Sequence, residues 1–127
     1  MALTNVGRDF LAGATAGVET THFDNVNAQI GVGDSTTVFD AAQTDLQAGV
    51  NKLRKGMDAT YPTRAGNVIT FQSTFGSTDA NFAWQEWGVF NAAAAGVMLN
   101  RKVEYNGTKL SGQSWVFQVA LTVNIGA

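Results

Sequence analysis

The chain reads as mainly β: a single antiparallel β-sandwich or flattened barrel, fronted by a short N-terminal helix. Three observations predict this. Residues 115–125 alternate without a break, with Trp115, Phe117, Val119, Leu121, Val123 and Ile125 on one side and smaller or polar residues between them. Shorter alternating runs recur along the chain, separated by turn residues. Only one segment near the front has helical spacing, so no series of crossover helices exists to build a parallel sheet.

The helix is expected over residues 4–14. Thr4 or Asn5 supplies the N-cap, and Val6, Phe10, Leu11 and Ala14 fall on one face. Gly13 and Gly17 mark its end. Residues 26–33 alternate as a half-buried strand, with Val26, Ala28, Ile30 and Val32 on one side. Gly31 and Gly33 suggest a bend or bulge there. Asp40 and Gln43 have capping-box spacing, which predicts a short helix or turn over 41–48, ended by Gly49. Residues 50–60 form a basic, strand-like segment. Tyr61-Pro62 and Arg64-Ala65-Gly66 make a turn. A strand over 67–75 places Ile69, Phe71 and Phe75 together. Strands follow at about 82–91 and 97–105, joined through Ala92–Gly96. Asn106-Gly107 signals a two-residue hairpin turn.

The 127 residues fit one domain, comprising an N-terminal helix and arm over 1–16 and a β-domain over 26–127. Hydrophobic residues make up 45% and aromatics 10%, enough for an ordinary core. Charged residues are only 14%, against a usual share of about 25%. A surface low in charge and rich in small polar groups suits packing against copies or partners; it also suits a neutral extracellular-type domain. The net charge of −2 gives no general field for nucleic acid. The absence of cysteine excludes disulfides, thiolate metal sites and cysteine nucleophiles. The first residues have neither a basic leader nor a long apolar run, and no window reaches the length of a membrane span. Synthesis in the cytoplasm is expected, without membrane association.

Catalytic and metal-binding patterns are poorly represented. The single histidine, His22, lies in a threonine-rich loop with no nucleophile elbow beside it. Asp34, Ser35, Asp40 and Asp45 are oxygen donors, but their spacing matches no calcium loop. Gly31-Val32-Gly33 lacks the third glycine and the lysine of a phosphate loop. No catalytic residue, metal or cofactor is therefore expected.

Residues 75–104 are the densest feature. Phe82, Trp84, Trp87 and Phe90, together with Trp115 and Phe117, are assigned to an aromatic core. Glu86 stands between two tryptophans, and its expected role is a structural pair with Arg101, or with Lys102, across the hairpin. Phe10, His22, Lys52, Arg54 and Lys55 are candidate interface residues, the basic stretch meeting an acidic neighbouring protein. Trp84, Trp87 or Trp115 could instead serve as a sugar-stacking platform in a carbohydrate-binding module.

Several segments carry a resemblance: IGVGDSTTVFDAAQTDLQ at 30–47, NKLRKGMDATYP at 51–62, VITFQSTFGSTDANFAWQEWGVFNA at 68–92, GVMLNRKVE at 96–104 and GTKLSGQSWVFQVALTV at 107–123. In order and type these resemble small virion structural proteins of tailed bacteriophages. They are also similar to N-terminal domains of tail fibres and collar-type baseplate proteins. In those domains a "GVGD" strand, a leucine-bearing turn, an "E-x-G-x-F" segment and a "G-x-x-x-x-R" return follow one another. The matching positions are Gly31 to Asp34, Leu46, Glu86 to Phe90, and Gly96 to Arg101. The resemblance implies a non-enzymatic virion component of the tail, baseplate or fibre-attachment region. Its partners would be other virion proteins and copies of itself. A capsid decoration (cement) protein is the alternative within the same class. Fibres continue into a long shaft, so a chain ending at Ala127 is expected to be an attachment module or a small accessory piece.

Overall fold

A computed structural model describes residues 2–124. The chain is mainly β, with two antiparallel sheets facing each other across one core and a single short helix. The order is β1 (Ala2–Leu3), α1 (Asn5–Thr15), β2 (Gln29–Gly33), β3 (Lys52–Gly56), β4 (Thr63–Ala65), β5 (Val68–Phe75), β6 (Glu86–Phe90), β7 (Met98–Val103) and β8 (Trp115–Thr122). The larger sheet has the order β1-β7-β6-β2-β3 and the smaller β4-β5-β8. The sheets do not close into a barrel, so the sandwich is the member of the expected pair that the chain adopts.

Alternation explains the core. Ile30 and Val32 from β2 and Trp87 and Val89 from β6 face Phe71 and Phe75 from β5 and Val119 and Leu121 from β8. Trp84, Leu99, Ala28 and Ala80 complete the cluster. Trp84 stacks edge-on against Phe75, Trp115 and Phe117 at 4.8–5.4 Å, geometry favoured by the quadrupoles of the rings. Phe82, Trp115 and Phe117 pack against this cluster half-buried. Phe90 does not join it. It points to the opposite face of the larger sheet, where it meets Leu46 and Met98. The aromatic core as expected thus divides between two sides of β6, because successive side chains of a strand point oppositely.

The helix starts as the sequence indicates. Thr4 is the N-cap, its hydroxyl accepting from the Gly7 amide at 2.9 Å. Gly7 itself is a contact the helical spacing does not reveal: a Cβ there would lie 2.2 Å from the Leu99 carbonyl oxygen. The helix therefore presses directly on β7. With β1 also paired to β7, residues 2–15 are part of the sandwich and not a detachable arm.

Other expectations need correction. Residues 41–48 form no helix. Of the helix or turn expected, the turn forms: Asp40 accepts from the Ala42 amide, Gln43 N–H bonds the Asp40 carbonyl across residues 41–42, and the rest of the segment is an irregular loop. Val26 lies outside β2 and is exposed. Gly31 and Gly33 produce no bulge: β2 pairs without interruption to both β3 and β6. Asn106-Gly107 is not a hairpin turn. β7 belongs to the larger sheet and β8 to the smaller, so this stretch crosses between sheets, bonded to the backbone of Trp84 on the way. A two-residue turn does join β4 to β5, through Gly66-Asn67, and β6 turns back into β7 through the expected Ala92–Gly96 stretch. Arg64 and Ala65 thus belong to a strand rather than a turn. Ile125, assigned to the last strand, lies outside the described residues.

Candidate functional site

The best-defined polar site lies on the outer face of the larger sheet. Antiparallel register puts Gly88 opposite both Gly31 and Arg101, and Glu86 opposite Gly33. Two glycines and a third, Gly88, leave a shallow trough between larger side chains. A Cβ at Gly33 would lie 2.4 Å from Glu86 Oε2, and one at Gly31 would lie 2.6 Å from the Phe90 ring. The glycines of this strand thus make room for their cross-strand neighbours.

Glu86 and Arg101 occupy the trough, with exposures of 0% and 1%. Arg101 Nε donates to Glu86 Oε1 at 2.7 Å. Lys102 instead pairs with Glu104 at 3.0 Å. The loop over residues 34–51 closes above the pair. Glu86 Oε1 also accepts from the Gln47 amide at 2.8 Å, and Oε2 from the Ala48 amide at 2.9 Å. Arg101 Nη1 donates to the Thr37 carbonyl at 3.0 Å and to Gln43 Oε1 at 3.1 Å. One ion pair therefore ties both halves of a long irregular loop to the sheet. A buried pair is tolerable only when its remaining donors and acceptors are satisfied, and the loop backbone supplies most of these partners. Arg101 Nη2 alone has none.

Beside this pair, Leu46 descends from the loop onto Phe90 and Met98. Arg54 closes the apolar cluster from above, its guanidinium 3.7 Å from the centre of the Phe90 ring, a cation–π arrangement. Arg54 Nη1 donates to the carbonyls of Ala92 and Ala95 at 2.9 and 2.8 Å, and Nη2 to Asp45 at 3.3 Å. Lys52 reaches the same Asp45 at 3.2 Å. Burial opposes the charge of Asp45, but the Leu46 amide, Lys52 and Arg54 outweigh it and hold its pKa below the usual range. Lys55 bonds Asp79 at 2.8 Å. The basic stretch expected to meet an acidic neighbour is thus engaged inside its own chain.

The other two candidate interface residues differ in placement. Phe10 is buried, edge-on to Phe23 at 4.9 Å and to His22 at 6.2 Å, so it anchors α1 instead of facing a partner. His22 stays exposed. Asp34 bonds Asn51, and among the described residues no group of three or more metal-ligating side chains converges. The sugar-platform expectation loses two of its three rings: Trp84 and Trp87 are buried, their Nε1 atoms bonded to the Ala80 carbonyl and to Glu104. Trp115 is half-buried and lines an open cavity of about 450 Å³ with Trp84, Asn106, Ser114, Val116 and Phe117.

One buried cation escaped the sequence reading. Lys109 has no exposed surface, and its Nζ donates to the Gly76 carbonyl at 2.6 Å and to Asn81 Oδ1 at 2.7 Å. Its signal was obscured by the hairpin expected at Asn106-Gly107, which would have left it on a solvated strand.

No protein-family model matches the chain, and no curated protein matches it.

Proposed function

We propose that the protein is a non-enzymatic structural component of a tailed-bacteriophage virion, of the tail, baseplate or fibre-attachment region, acting through protein–protein contacts. One observation carries this reading. Six of the positions that support the resemblance, far apart in sequence, gather at one place in the fold. Gly31 and Gly33, Leu46, Glu86 and Phe90, and Arg101 form the trough, the ion pair and the small apolar cluster beneath the loop. Their shared work is to hold a long loop on a sheet. Glu86, the acid most open to a catalytic reading, has its oxygens taken by one guanidinium and two loop amides. A motif set that stabilises architecture is what an assembly component requires.

The test is localisation on the particle. Gold-labelled antibody against the chain is expected to mark tails or baseplates in electron micrographs of purified phage. Label confined to heads would transfer the protein to the capsid decoration class. Absence from purified particles would refute the virion reading.

A further inference from the structure

The two sheets have four edge strands, and three of them are protected. β1 has only two residues. β3 carries Lys52, Arg54 and Lys55. β4 has three residues, follows Pro62 and contains Arg64. Shortness, charge and proline are the usual devices against edge-to-edge pairing. β8 has none of them. It runs for eight residues, WVFQVALT, without a charge or a proline.

Its free edge can be located. The Val123 amide bonds the Asn67 carbonyl at 2.8 Å, so residue 123 directs its backbone toward β5. Backbone direction alternates along an antiparallel strand. Residues 117, 119 and 121 therefore bond β5, while 116, 118, 120 and 122 present their N–H and C=O groups outward. Among the described residues, no backbone hydrogen bond reaches β8 from that outer side. The 450 Å³ cavity lies beside the first half of the strand, lined by Trp115, Phe117 and Trp84. Val116 stands exposed on the outer face.

We infer that β8 is an association edge that pairs antiparallel with β8 of a second copy, joining the two smaller sheets into one. The strand is suited to itself. A two-fold axis through Gln118 sets Phe117 beside Val119, Val116 beside Ala120 and Trp115 beside Leu121 of the other copy. Every apolar residue then meets an apolar one, on the correct face. A two-fold sets each charge near its own symmetry mate, and a strand without charge has no such repulsion to overcome. The pairing forms about six backbone hydrogen bonds. This inference does not rest on the virion reading, and its test needs no particle.

The experiment is amide hydrogen exchange with sedimentation velocity on the full chain, over roughly 1 to 200 µM. Amides 117, 119 and 121 are protected by β5 in any case and serve as the internal control. The expected result is a dimer in which amides 116, 118 and 120 are also protected. Gln118→Lys places like charges at the axis, and should lose both the dimer and the protection of the even-numbered amides while the odd-numbered ones stay protected. Ala120→Pro removes an outward donor and should act alike; it keeps the test valid if the lysine variant does not fold. A monomer with unprotected even-numbered amides overturns the inference. So does a dimer whose even-numbered amides exchange freely, or protection gained only on adding a different protein.

Discussion

A double-mutant cycle on Glu86 and Arg101 tests the central site most directly. In Glu86→Ala the Arg101 guanidinium remains buried with only the Thr37 carbonyl and Gln43 as partners, and the loop amides of Gln47 and Ala48 are orphaned. Breaking a buried pair from one side costs about 3–5 kcal/mol. Arg101→Met leaves a buried carboxylate held by two loop amides, so a somewhat smaller loss is expected, about 2–4 kcal/mol, because charged hydrogen bonds contribute about 1.5–3 kcal/mol each. The double variant removes both charges but still strands the loop amides, so it should lose about as much as one single variant. The coupling then equals the loss of the other single variant, about 2–4 kcal/mol. Urea unfolding reads this directly: with a slope near 2 kcal/mol per molar, the single variants shift the midpoint by roughly 1–2.5 M. Additivity within about 0.5 kcal/mol would refute the claim that the two side chains act as one unit.

Three further outcomes follow from neighbouring contacts. Gly33→Ala drives a Cβ into Glu86 Oε2 and should cost about 1–3 kcal/mol, with faster proteolytic cleavage within residues 34–51; unchanged cleavage would sever the link between trough and loop. Lys109→Met keeps the aliphatic stem but strands the Gly76 carbonyl and Asn81, and should lower Tm by roughly 5–10 °C; an unchanged Tm would show that these bonds contribute nothing net. Acid should destabilise the fold through three carboxylates held below their usual pKa. Asp79 is lowered by Lys55 and the Gly76 amide; for Asp45 and Glu104, burial is outweighed by donors, which for Glu104 are chiefly Lys102 and Trp87. The unfolded chain protonates these groups more readily, so their contribution is complete above the ordinary carboxylate range and falls as pH drops below about 4. The triple variant Asp45→Asn, Asp79→Asn, Glu104→Gln should flatten that part of the pH–stability curve, and an unaltered slope would argue against the three pairs.

Strand type was legible wherever one face meets the core and the other does not. β5 and β8 show this best, since their odd-numbered residues fill one side of the sandwich. β6 was legible as a strand but not in its two-sidedness. Glu86, Gly88 and Phe90 are as buried as Trp87 and Val89, because the loop covers the second face. Nothing in a local pattern announces such a cover. The same cause limits the helix or turn expected over 41–48 to a turn at 41–42: the amides of Gln47 and Ala48 are claimed by a carboxylate 39 and 38 positions away, so a local propensity yielded to a distant acceptor. Asn106-Gly107 failed similarly. The dipeptide permits a turn, but the strands on either side belong to different sheets.

The low charge of the chain takes on a more specific meaning in the fold. All eight Lys and Arg side chains have partners within the chain: Arg8 on Asn5, Arg64 on the Gly66 carbonyl, Lys109 on the loop at Gly76, and the others in ion pairs with Asp or Glu. Three of these cations donate to backbone carbonyls of irregular segments: Arg54 and Arg101 fasten loops to the larger sheet, and Lys109 ties the segment before β8 to the loop after β5. Charge here mainly serves to hold loops in place. The β8 edge left for association carries no charge, and its exposed side chains are an amide, a hydroxyl and apolar groups such as Val116. Such a surface gives little long-range steering and pays little to desolvate. Association through it should be nearly independent of salt. A dimer or assembly that dissolves on raising ionic strength would place the contact at the ion-paired edge of β3 instead of at β8.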